Sequence, residues 1–138
     1  MSNSIRIFVL IAMLGVMLGC TKKKIVIPIP TLPKEENIVF SIEPDPGTGV
    51  AVAIGGTYGF KVNITSKLPG SGVKLDLTTK KDADNSMIDS KSLDSNSPGI
   101  DLSTGTLSPG ILCTVTVVVT SKTTATNTVT KSFKVARK

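Results

Sequence analysis

The chain has no histidine and no tryptophan, one tyrosine, four phenylalanines and two cysteines among its 138 residues. Without histidine it lacks the side chain that titrates near neutral pH, serves most often as general base and is the commonest metal ligand. There is no pair of carboxylates at a defined spacing, no glycine-rich phosphate loop and no nucleophile elbow. These absences weigh against catalysis, so neither an enzyme nor a cofactor is expected. Helical periodicity is missing over any useful length, and no segment repeats another. Charge is only mildly one-sided. Sixteen basic residues face ten acidic ones for a net +6, and Lys22, Lys23 and Lys24 supply half of that excess. The rest of the chain is near neutral, which argues against a nucleic-acid partner.

What is present begins with an amino-terminal address. Residues 1–6 end on Arg6, residues 7–19 are thirteen apolar or small residues, and Cys20 follows directly. A short basic start, an apolar stretch and a small residue before a cut is the layout of a signal peptide. A spanning helix needs about 20 apolar residues, and the three lysines after Thr21 prevent extension. Residues 1–19 are therefore expected to be removed, taking Arg6 with them.

Met17-Leu18-Gly19-Cys20 resembles the lipobox of bacterial lipoproteins, in which a small residue precedes a cysteine that is joined to diacylglycerol before signal peptidase II cuts. Gly19 and Cys20 match that pattern; Met17 stands where Leu is usual and Leu18 where a small residue is usual. The resemblance implies lipidation at Cys20, recognition of Met17, Leu18 and Gly19 by the peptidase, and a lipid bilayer as the first partner. An ordinary secretory signal with a chance cysteine is the alternative. Two or three acyl chains at ~0.8 kcal/mol per buried methylene make a stable anchor. Lys22, Lys23 and Lys24 would then touch anionic headgroups, at roughly 1 kcal/mol each. Thr21 is not the Asp that marks inner-membrane retention in some lipoproteins, which by analogy favours the outer membrane of a cell envelope.

Residues 20–36 carry Pro28, Pro30 and Pro33. Proline fixes φ and removes a donor, so this stretch reads as a semi-rigid tether at ~3.1 Å per residue. The alternative is that Ile25, Val26, Ile27 and Ile29 form an edge strand.

From Asn37 to Lys138 apolar residues alternate with period two, interrupted every eight to twelve residues by Gly, Pro, Asp or Asn, which is the pattern of short strands. Ile38, Phe40 and Ile42 share a face; Val50, Val52 and Ile54 make a second piece; Phe60, Val62 and Ile64 follow Tyr58. Val73, Leu75, Leu77 and Thr79 come next, then a candidate edge strand from Met87 to Leu93, then Ile100 and Leu102. Cys113, Val115, Val117 and Val119 form the strongest strand, and Val129, Phe133 and Val135 the last. Lys131 breaks the alternation, as a bulge or a snorkelling side chain at a sheet edge would. Gly55-Gly56 and Gly70-Ser71-Gly72 read as hairpin turns. About seven antiparallel strands in a hundred residues predict an all-β, immunoglobulin-like sandwich.

Residues 107–117, Leu-Ser-Pro-Gly-Ile-Leu-Cys-Thr-Val-Thr-Val, resemble the corner of fibronectin type III and related immunoglobulin-like domains, Leu-x-Pro-Gly-x-x-Tyr-x-Val-x-Val. Leu107, Pro109, Gly110, Val115 and Val117 match, and Cys113 takes the place of the tyrosine. The resemblance implies a turn between sheets followed by a core strand. Lipobox, proline tether and one Thr/Ser-rich sandwich together are also similar to small lipoproteins of the Bacteroidetes, a group that carries little assigned function.

Three constellations could carry chemistry. Cys113 is a candidate nucleophile without a base, and otherwise a small buried hydrophobe. Asp82, Asp84, Asn85, Ser86 and Asp89 begin like a calcium loop, but Met87 replaces the turn glycine and Leu93 the bidentate Glu, so a solvated loop and no metal is the expectation. Thr114, Thr116, Thr120, Thr128 and Thr130 face outward and could take a partner by strand addition or a glycan, although threonine outside a strand is ordinarily β propensity. The preferred reading is a non-enzymatic envelope module with an unknown protein or glycan partner. A glycan-binding accessory and a thiol-dependent accessory are the alternatives.

Overall fold

The computed structural model describes residues 33–138, where every regular element is a strand. In chain order these are β1 (Phe40–Glu43), β2 (Val50–Ala53), β3 (Gly59–Ile64), β4 (Val73–Lys81), β5 (Met87–Ser95), β6 (Gly99–Ser103), β7 (Leu112–Ser121) and β8 (Thr128–Arg137). They form a three-stranded sheet in the order β1-β3-β6 and a five-stranded sheet in the order β2-β8-β7-β4-β5. The fold is an all-β sandwich, as the period-two pattern predicts.

Alternation builds the layers. Along β7 the inward Cys113, Val115, Val117 and Val119 are fully buried, while Thr114, Thr116, Val118 and Thr120 between them are half-exposed. Leu75, Leu77 and Thr79 of β4 lie beside them, and Phe40, Ile42, Phe60, Val62, Ile64, Ile100 and Leu102 approach from the other sheet. Each large aliphatic buried this way contributes ~1.5–3 kcal/mol. The aromatics pin the two layers together: the Phe60 and Phe133 rings meet edge to face at 5.3 Å, and Tyr58 stands 5.8 Å from Phe133.

The structure differs from the expected one in several places. There are eight strands rather than about seven, and one pair is parallel, β2 running alongside β8 with Val50 opposite Lys134 and Val52 opposite Ala136. Cross-strand neighbours share a face. Because Phe133 and Val135 point inward, Lys134 and Ala136 point outward, and Val50 and Val52 must point outward with them. The second piece of Val50, Val52 and Ile54 therefore does not bury those residues: Ala53 is buried, while Ile54 is 93% exposed.

Gly55-Gly56 and Gly70-Ser71-Gly72 are not hairpin turns, since β2–β3 and β3–β4 both pass from one sheet to the other. Gly72 has φ +78°, and a Cβ there would lie 2.4 Å from the Ser95 carbonyl oxygen, so glycine is required. The two hairpins are β4–β5 and β7–β8. The β6–β7 corner does turn between sheets, with Leu107 fully buried at it.

The compact unit is Pro33–Lys138, four residues longer than the expected domain. Glu35 explains the extra turn of chain. Its carboxylate accepts hydrogen bonds from Ser121 Oγ at 3.0 Å and from the Asn127 amide, and Asn127 Oδ1 accepts the Ile38 N–H at 3.0 Å. Asn127 Nδ2 also donates to the Glu36 carbonyl at 2.9 Å. The end of the expected tether is thus fastened to the β7–β8 turn.

Candidate functional site

Cys20, with Met17, Leu18 and Gly19 before it and Lys22, Lys23 and Lys24 after it, lies outside the described residues, as does the alternative strand over Ile25, Val26, Ile27 and Ile29.

The acidic turn closes the β4–β5 hairpin. Lys81 N–H donates to Ser86 O at 2.9 Å and Asn85 N–H to Lys81 O at 3.0 Å, with Asn85 in the left-handed region at φ 57°. Asn tolerates that conformation better than most residues. Asp84 accepts the Ser86 N–H at 2.9 Å. Asp82 turns the other way, onto the outer face of the large sheet, where it is bonded by Thr114 Oγ1 and by the Lys134 ammonium. Those two hydrogen bonds, Lys134 first, hold the Asp82 carboxyl below the usual carboxylate range, and Ser86 does the same for Asp84. Asp89 sits apart, close against Gly105 and 3.1 Å from Lys91. The carboxylates diverge instead of converging, and among the described residues no three His, Cys, Asp or Glu side chains gather as metal ligands.

Cys113 occupies the interior of the large sheet beneath this turn. It is fully buried and its Sγ lies 3.7 Å from the Ile111 carbonyl. Burial, and then the charge of Asp82, push its thiol above the ordinary cysteine value. The thiolate is the reactive form, so this thiol is poorly placed for nucleophilic work. The chain has no histidine to take its proton. The tyrosine that the corner resemblance would place here is replaced by a side chain that simply fills the core.

Two hydroxyl pairs bridge the exteriors of β7 and β8. Thr116 meets Ser132 at 3.0 Å and Thr120 meets Thr128 at 2.9 Å, oxygen to oxygen. Tyr58, Phe60 and Phe133 stack on each other, so these aromatic faces are committed to the core. An open groove of about 460 Å³ runs between residues 33–36 and the β3–β4 turn, with Lys67 and Leu68 on its wall.

Sequence reasoning missed a surface that the parallel pairing creates. On the outer face of the large sheet Val52, Ala136 and Leu112 stand side by side in register, next to Val50 and the protruding Ile54. Clustered exposed aliphatics mark contact surfaces more often than scattered ones do. The signal was available only through the register: the segment Val50-Ala51-Val52-Ala53-Ile54 is apolar at every position, so period alone cannot choose its face. No protein-family model matches the chain, and no curated protein matches it either.

Proposed function

We propose that the chain is a lipid-anchored protein of the bacterial cell envelope that presents one immunoglobulin-like domain for binding or structural work without catalysis. The observation that carries the anchor is the thirteen-residue apolar stretch ending at Gly19-Cys20 and followed at once by Lys22, Lys23 and Lys24. Cleavage before Cys20 leaves the polar start that a lipidated cysteine has, and the outer membrane is the favoured address.

Strand order supports the immunoglobulin-like reading. In such domains the second and fifth strands neighbour one another in one sheet, and the third, sixth and seventh in the other, with an additional strand beside the third in variable-type domains. Here β3 neighbours β6, and β8, β7, β4 and β5 follow in that order, so β5 takes the additional place. Support for a non-enzymatic role comes from Cys113, whose thiol is buried and raised in pKa. The stacked aromatics favour a protein or structural partner over a glycan.

Radiolabelled palmitate fed to cells expressing the chain tests the anchor. The wild type is expected to take up label and to fractionate with membranes, and Cys20→Ala to do neither. Equal labelling of the two would remove the proposal.

A further inference from the structure

Strand β8 is covered along only part of its outer edge. β2 pairs with Lys134 to Arg137, while residues 128–133 have, among the described residues, a strand on the β7 side alone. Two hydrogen bonds fix the direction of each backbone group. Ser121 N–H donates to Asn127 O at 2.9 Å on the β7 side, and Lys138 N–H donates to Ala53 O at 3.2 Å on the β2 side. Backbone groups of successive residues alternate sides in a strand, so Val129, Lys131 and Phe133 bond to β7. Thr128, Thr130 and Ser132 direct three N–H and three C=O groups to the side away from β7. None of these six has a backbone partner among the described residues. Among the described residues this leaves an unfilled strand position, in line with β2 and roughly 20 Å long for six residues.

The side chains along this lane set its chemistry. Val129, Lys131 and Phe133 point to the inner face, Lys131 with its ammonium 5.3 Å from the centre of the Phe40 ring. Lys131 is exposed and forms no ion pair among the described residues, unlike Lys61, Lys74, Lys91, Lys122 and Lys134. An inward charge is one of the ways natural proteins guard an open edge against chance pairing. A strand laid along residues 128–133 would cover Lys131 and take its ammonium out of water. That is costly unless the incoming strand brings a carboxylate.

We propose that the open edge of β8 at residues 128–133 is a docking lane for an extended segment of a partner protein that carries an acidic residue facing Lys131. Main-chain hydrogen bonds to Thr128, Thr130 and Ser132 supply affinity, and the Lys131 ammonium supplies selection. A second copy of this chain is the poorer occupant, because its β8 brings another Lys131 and no inward carboxylate. The inference concerns the edge of the sandwich and not the fate of Cys20, so it and the anchor can fail separately.

The test is a titration of the full chain in detergent with two capped seven-residue peptides, Thr-Val-Thr-Glu-Thr-Val-Thr and the same peptide with Lys in place of Glu, followed by amide chemical shifts. The Glu peptide is expected to shift the Thr128, Thr130 and Ser132 amides and to bind at least tenfold more tightly than the Lys peptide. Lys131→Glu, at an exposed position that does not disturb folding, is expected to reverse the preference. Absence of shifts at these amides with either peptide, equal binding of both peptides, or concentration-dependent shifts of the same amides without peptide would each overturn the proposal.

Discussion

The two halves of β8 are one strand under two regimes. Its carboxyl-terminal half is flanked on both sides, by β7 and by β2, and its inward residue Val135 is fully buried. Its amino-terminal half is flanked on one side, and its inward positions include a lysine. The lysines themselves make the contrast plain. Lys134 faces outward in the covered half and is paired with Asp82, whereas Lys131 faces inward in the open half, over an aromatic ring and away from any carboxylate among the described residues. The register between β7 and β8 runs unbroken from Leu112 opposite Ala136 to Thr120 opposite Thr128. Lys131 is therefore no bulge. Its side chain snorkels, and it is tolerated there because no strand of the described residues lies beside it.

Proline substitutions should break this comparison most visibly. The Ala136 N–H lies on the β2 side of a covered strand, so Ala136→Pro removes a sheet bond and should cost about 3 kcal/mol. The Thr130 N–H faces the vacant lane, where proline is tolerated, so Thr130→Pro should cost under about 1 kcal/mol. Chemical denaturation of the two variants gives the difference; equal losses would mean that the two halves are bonded alike.

A smaller effect sharpens the contrast from the outer face. The folded Asp82 carboxyl titrates below its unfolded value because of Lys134 and Thr114. A group whose pKa is depressed on folding stabilises the fold above its unfolded pKa, and that contribution is lost as pH falls through the folded one. Wild type should therefore exceed Asp82→Asn in stability near neutrality. The gap should narrow as pH drops below the ordinary carboxylate range of about 4. A gap independent of pH would mean that neither Lys134 nor Thr114 favours the ionised Asp82 carboxylate in the fold.

Much of the sandwich is legible in the residues because its central strands see two different environments on their two faces. Val73 to Thr79, Cys113 to Val119 and Phe60 to Ile64 alternate in sequence as they do in burial, and Met87 to Ser95 is an edge strand with polar character on both faces. Legibility fails at β2, where large and small apolar residues alternate and the pairing register decides which set is buried. It fails again at the amino-terminal boundary. Proline and charge at Pro33, Lys34, Glu35 and Glu36 signal a solvated tether, yet Glu35 finds three partners, Ser121, Thr124 and Asn127, more than eighty residues away in the chain. Nothing local encodes such a contact. The candidate site divides in the same way. The core role of Cys113 and the failed calcium pattern at residues 82–86 follow from residue types, whereas the vacant lane along β8 is a matter of topology. Lys131 was its one trace in the sequence, as a break in an otherwise regular alternation.

Native-state amide exchange along β8 measures the vacancy itself. If residues 128–133 have one neighbouring strand, Val129, Lys131 and Phe133 exchange slowly through their bonds to β7, Ala136 is protected by β2, and Thr130 and Ser132 exchange far faster than any of them. Slow exchange at Thr130 and Ser132, matching Ala136, would show that a further strand already lies along β8 and would contradict the open lane.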